Sequence, residues 1–341
     1  MLIDVCSPLA GAPGPDFPVT ALTRHDRDQI ALDGRVGAIW EALDDDAPFS
    51  RRKFAMRYHL ARTRTLFNLD TDAAYTQAFA AWARSIDAFC VHSDGSLHDP
   101  EGRLLLGRDQ QEGDGAPPRS PLAMDRKNRT EDRLATKGLN TFVGLPMIDD
   151  ETEVRLRAPA EVALRCFSLL AVAVRGEALN TGDALPVSQL RQRLPLAFKA
   201  LTPWERRFMD AGGWFKPKLV SQDAVQAAWR YEALAVLLWA LGEYESLPSY
   251  DSICDVPFVA NKLVKVDGAR LVAEAHLRPV GEILDALDEI YRLHWILVDA
   301  RMNGRPPPEG VTPGVVMERH HALNWLTCYC DDDWDEVTTD T

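Results

Sequence analysis

Apolar positions recur with a period of two at several places before residue 107 and with helical spacing almost everywhere after residue 131. Leu2 to Cys6 predicts a first strand, and the Gly/Pro-rich stretch from Ala10 to Pro18 excludes regular structure after it. A helix is expected over Arg24 to Leu43, with Ile30, Val36, Ile39, Trp40 and Leu43 near helical spacing and Gly34 and Gly37 weakening it. Phe54, Met56, Tyr58 and Leu60 alternate with Ala55, Arg57 and His59, the signature of a strand buried on one face. From about Asp72 to Ser85, Tyr75, Phe79, Trp82 and Ile86 stand at i, i+4, i+7 and i+11, which predicts an amphipathic helix capped by Asp70 or Thr71. Ala88 to His92 returns as a strand. The turn signals Asp94-Gly95 and Asp99-Pro100-Glu101-Gly102 before Leu104 to Leu106 predict a β-hairpin. The order β-α-β-α-β-β implies a small sheet with helices on one face, a sandwich-like α+β module over 1–107.

Between residues 108 and 130 Gly, Pro, Asp, Gln and Ser dominate, which predicts a polar linker. Residues 131–341 then read as an all-helical domain, so the fold class is α+β with a mostly α-helical second part. Pro159 to Leu179 carries Val162, Cys166, Leu169, Leu170 and Ala173 at helical spacing, with proline suited to the first turn. Thr202-Pro203-Trp204-Glu205 is a capping box, in which the hydroxyl accepts from the third residue's N–H and the carboxylate reaches back. Ser221 is expected to cap the next helix, which runs through Trp229 and Trp239 to Gly242 and, being apolar all round in its second half, should be central. Arg278-Pro279 opens a long helix to about Met302, and Thr312 caps a last one over Pro313 to Thr327.

Composition adds sign and compartment to this picture. The 341 residues carry a formal net charge of −13. Residues 1–110 hold 12 basic and 16 acidic side chains against 20 and 30 in 141–341, and six acids lie in the last eleven positions. Such a surface repels phosphates, so nucleic acid is not an expected partner. The longest apolar run, Ala233 to Leu241, is nine residues, about half of the ~20 that span a bilayer, so no membrane partner is expected either. No basic residue precedes Arg24, and the six cysteines are spread thinly, which together predict a cytoplasmic protein with reduced thiols.

Four ordered blocks carry a family resemblance: Trp229-Arg230-Tyr231-Glu232-Ala233-Leu234; Tyr291-Arg292-Leu293-His294-Trp295 with Asp299-Ala300-Arg301; Glu318-Arg319-His320 with Ala322-Leu323-Asn324-Trp325-Leu326; and Asp333-Trp334-Asp335 with Thr338-Thr339-Asp340-Thr341. Over roughly residues 125–341 the chain resembles the bacterial domain of unknown function 4272. The resemblance implies a helical domain and brings no substrate, cofactor or catalytic residue with it.

The densest chemistry lies on the last two long helices: His294, Asp299, Arg301, Glu318, Arg319, His320, His321 and Asn324. Residues three or four apart share a helix face, so Glu318 and His321 stand together beside a stripe of His320 and Asn324. One reading is a buried hydrogen-bond and ion-pair network, with the arginines paired to Asp299 and Glu318. The other is a single metal held by His294, Glu318 and His321, since Glu-x-x-His is how bundles present ligands. His320-His321 with Cys328-x-Cys330 has the wrong spacing for structural zinc. Arg230 and Glu232 interrupt an apolar helix and must meet partners or hold an anion. Nucleotide, Walker and nucleophile-elbow patterns are missing from the sequence, so no cofactor is expected. The leading functional expectation is a non-enzymatic protein-interaction or accessory role. Its alternatives are a metal-dependent hydrolase-like enzyme and a small-ligand sensor built on Arg230 and the tryptophans.

Overall fold

The computed structural model describes residues 1–341 apart from 27–29, 44–50, 110, 118–119, 143, 183–184 and 211–216. It divides into two compact units, Met1–Asp125 and Arg126–Thr341.

The first unit is built on six antiparallel strands: β1 (Leu2–Ser7), β2 (Ala21–Asp26), β3 (Thr65–Asp70), β4 (Phe89–His92), β5 (Leu97–His98) and β6 (Leu104–Leu106), in the order β2-β3-β1-β4-β5-β6. In β1, Val5 stands opposite Phe67 on one side and Cys90 on the other. Side chains alternate across a sheet, so the two faces separate cleanly. Ile3, Val5, Phe67, Leu69 and Cys90 pack with Phe79, Trp82 and Ala83 of α3 (Gln77–Ser85). Cys6, Leu66, Phe89 and Val91 pack with Leu32 and Ile39 of α1 (Ile30–Leu43) and Met56 and Leu60 of α2 (Arg51–Ala61).

Helices therefore cover both faces, where one face was expected. The difference arises at two places. The helix expected over Arg24 to Leu43 forms as α1 from Ile30, while Arg24 to Asp26 belong to the strand β2. The strand expected over Phe54 to Leu60 is the helix α2, whose buried Lys53, Met56, His59 and Leu60 lie at i, i+3, i+6 and i+7. A four-position alternation is too short to separate the two periods, and the arginine, alanine, methionine and leucine content favours a helix. The helix α3 also starts later than its apolar spacing suggests. Tyr75 takes φ 59°, which a helix cannot contain, and the cap is Thr76, whose hydroxyl accepts from Phe79 N–H, not Asp70 or Thr71. The hairpin is found as expected, continuing through β4, β5 and β6.

The polar stretch 108–130 does not stay irregular. It runs into the helix α4 (Pro121–Thr136), with Ser120 accepting from Ala123 N–H ahead of a first-turn proline.

In the second unit α5 (Pro159–Thr181) and α8 (Pro217–Ala240) form the central pair, α12 (Pro313–Leu326) packs on α8, and α11 (Val280–Met302) packs on α12. The shorter α6 (Val187–Arg193), α7 (Pro203–Asp210), α9 (Val256–Val264) and α10 (Gly268–Ala273) surround them. Ala233 to Leu241 are all buried, which places the all-apolar half of α8 at the centre of the core. The capping box closes reciprocally: Glu205 N–H donates to Thr202 Oγ1 at 3.2 Å and Thr202 N–H to Glu205 Oε2 at 2.9 Å. Ser221 is no cap, because α8 already begins at Pro217. Thr312 stands at the N-cap position of α12, but its hydroxyl donates to the Asp251 carbonyl. Among the described residues no helix is long and apolar enough to cross a membrane.

Candidate functional site

Arg230 and Glu232 sit two residues apart on α8, and Glu318 and Arg319 are adjacent on α12. The sequence thus sets a base and an acid on one helix against an acid and a base on the other. They close as two crossed ion pairs: Arg230 Nη1 to Glu318 Oε2 at 2.7 Å, and Arg319 Nη2 to Glu232 Oε2 at 2.9 Å. Glu232 Oε1 also accepts from Cys254 N–H at 2.6 Å, and Arg319 Nη1 donates to the Pro248 carbonyl, so the second pair holds the segment between α8 and α9. Burial pushes the Glu318 carboxyl up, and the Arg230 guanidinium opposes that shift.

The remaining members of the cluster divide among separate partners. His294 Nδ1 meets His320 Nδ1 at 2.9 Å, with Tyr291 edge-on to the buried His320 ring. His321 Nε2 donates to the Trp334 carbonyl at 2.9 Å, and Asn324 Nδ2 to the Thr338 carbonyl at 2.9 Å. Two expected pairings are corrected. Asp299 pairs with Arg305 beyond the helix end, leaving Arg301 exposed, and Arg319 meets Glu232 where Glu318 was one expected partner. His294, Glu318 and His321 are held by three different groups. Among the described residues no set of three or more His, Cys, Asp or Glu is placed to hold a metal ion.

Residues outside the expected set form further buried ion pairs. Arg165 of α5 pairs with Glu205 of α7, both buried, and Arg292 of α11 pairs with Asp288 at 2.7 Å and Glu131 of α4 at 3.0 Å. The signal was available: Arg165 interrupts an apolar helix as Arg230 does, and Asp288 precedes Arg292 by one turn. The Trp334 indole is buried against His321, Trp325, Arg165 and Arg230.

Burial holds the histidines neutral. It pushes His321 down to about 4 and His320 well below the usual imidazole range, with the neighbouring Arg230 and His294 as the next causes. Unfolding returns each to about 6.5. Between those values the unfolded chain binds more protons, so stability is full above about pH 6.5 and falls as pH drops towards 4, by up to ~1.4 kcal/mol per pH unit for each group. Glu318, raised in the fold, acts in the opposite sense nearer the carboxylate range. Urea midpoints measured between pH 7.5 and 5 are expected to decline, and His321→Gln to flatten the decline; a level profile contradicts it.

A family model described as "Domain of unknown function (DUF4272)" matches residues 126–337, starting where the second unit starts. No curated protein and no solved structure matches the chain. With the match covering the greater part of the chain, and the four sequence blocks lying on α8, α11, α12 and the segment after it, the chain belongs to the DUF4272 family.

Proposed function

We propose that this protein is a non-catalytic interaction module whose contact surface is the apolar segment on and beside α9. The observation that carries the reading is exposure: Ile253 is 62%, Phe258 52%, Val264 64% and Val266 38% accessible within one short stretch. Four large apolar side chains exposed within one short stretch cost hydration until a partner covers them. The polar residues on α8, α11 and α12 are by contrast spent on holding helices together, which supports a binding role over a catalytic one.

The partner we assign is a second copy of this chain. Asp251 and Asp255 lie before α9, while Lys262 and Lys265 lie at its other end. Two such helices packed antiparallel about a two-fold axis set acid against base at both ends and cover the apolar middle. Among the described residues the cysteines form no disulfide, and Cys330 is exposed, which fits a reducing compartment such as the cytoplasm. Light scattering across a micromolar concentration series is expected to show a dimer, and the pair Phe258→Asp with Val264→Asp to return a folded monomer. A wild-type chain that stays monomeric at every concentration sinks the reading.

A further inference from the structure

After α12 the chain turns sharply. Cys328, Cys330 and Asp331, none of them glycine, take φ of 52°, 54° and 58°, a region that side-chain-bearing residues enter only under constraint. This turn lays residues 331–338 as a strap over groups from the segment before α5, from α5, α7, α8 and α12.

The strap is held the way a peptide is recognised. Three side chains bond its backbone carbonyls: Arg157 at Asp332, His321 at Trp334 and Asn324 at Thr338. Its own carboxylates are taken by the Arg155 guanidinium, at Asp331, and by the Trp204 N–H in the first turn of α7, which donates to Asp335 Oδ2 at 2.9 Å. The Trp334 indole between them is enclosed on several sides. Arg165 and Arg230 place their guanidinium carbons 4.6 Å and 5.8 Å from its ring centre, and His321 and Trp325 meet it edge-on at 4.7 Å and 5.3 Å. Four arginines are thus gathered around one acidic segment in a domain whose overall charge is negative.

The occupant leaves the groove incompletely matched. Among the described residues, Arg165 Nε, Arg230 Nε, His321 Nδ1 and Trp334 Nε1 are buried without a hydrogen-bond partner, and all four belong to side chains that meet at the indole. A carbonyl only accepts, so His321 carries its proton on Nε2 and offers a lone pair at Nδ1. Three donors and one acceptor are therefore unsatisfied around a ring delivered by a strained turn.

We propose that this groove is a recognition site for a peptide carrying a tryptophan flanked by acidic residues, filled in cis by residues 331–338 and open to the corresponding segment of a separate partner protein. Such a partner supplies the same carbonyls, ring and carboxylates without the strained turn. The proposal does not depend on the α9 surface, and Phe258→Asp with Val264→Asp is expected to leave it intact.

A fluorescent synthetic peptide Asp-Asp-Asp-Trp-Asp-Glu-Val-Thr tests it by anisotropy against the full-length chain. The Trp334→Ala chain, emptied of its own ring, is expected to bind the peptide. The wild type should bind at least about tenfold more weakly, because a tethered segment competes at high effective concentration. A peptide with alanine for tryptophan should not bind, and adding Arg165→Met to Trp334→Ala should weaken binding. A folded Trp334→Ala chain that ignores the peptide, or that takes both peptides alike, overturns the proposal. If Trp334→Ala does not fold, Asp335→Lys loosens the exposed edge of the strap and leaves the indole in place. That chain is expected to bind the tryptophan peptide more tightly than the wild type does, and equal weakness overturns the proposal. An Asp335→Lys chain that still dimerises when Phe258→Asp and Val264→Asp are added, while ignoring the peptide, assigns the groove to the strap of a second copy and overturns the separate partner.

Discussion

Glu232→Ala is expected to cost about 3–5 kcal/mol of folding stability, the usual consequence of removing one partner from a buried ion pair. Arg319 is 1% exposed and directs both Nε and Nη2 at Glu232 Oε2; without that carboxylate its charge stays in the core with the Pro248 carbonyl as its remaining hydrogen-bond acceptor. The Cys254 N–H loses its acceptor at the same stroke, which frees the segment leading into α9. Urea unfolding followed by circular dichroism measures the loss. The sharper measurement is the double variant Glu232→Leu with Arg319→Met, which removes both charges and should recover much of the stability, since well-packed apolar replacements for a buried pair are often neutral or better. A loss below about 1 kcal/mol for Glu232→Ala would place the pair in the class of solvated surface bridges and contradict its burial.

That pair also shows how far the sequence could be read. Arg230 and Glu232 announce themselves because charges in an apolar helix need partners, though that rule does not name the element that supplies them. The crossing is what spacing does not give. Which acid meets which base depends on how α8 lies across α12, a three-dimensional choice invisible in either helix alone. His294 and His320 meet across α11 and α12, whereas Asp299 pairs with Arg305 because the helix ends at Met302 and the chain folds back past it. Long helices with strong stripes and a proline at their start, such as α5, α11 and α12, were legible nearly to the residue. The first unit was legible in β1, β4 and the hairpin but not in β2 or β3, nor in α2, where an alternation four positions long decided for a strand against residues that prefer a helix. Trp334 was quoted only as part of a family block. Nothing in an acidic, irregular segment tells that its one aromatic ring is carried back between Arg165 and Arg230.

Gly176→Leu is the second large effect, and it tests the α5–α8 crossing on which the helical domain is built. A side chain begun at Gly176 would place its Cβ 2.7 Å from the Ala224 carbonyl oxygen, 2.8 Å from Ala227 Cβ and 2.8 Å from Ala228 N. Two of those atoms are backbone, so no rotamer change makes room, and the helices must part along the centre of the core. Helix propensity alone favours replacing a mid-helix glycine by alanine, by about 1 kcal/mol. At Gly176 the sign should reverse: Gly176→Ala is expected to destabilise by roughly 1–3 kcal/mol and Gly176→Leu by more, with loss of near-ultraviolet dichroism if the core loosens. Gly37 in α1 supplies the control, because a Cβ there meets nothing within 4 Å. Gly37→Ala should therefore stabilise the first unit by up to ~1 kcal/mol. Opposite signs at the two glycines would show that Gly176 is kept for the closeness of two backbones; a stabilising Gly176→Ala would mean that α5 and α8 do not cross where the structure places them.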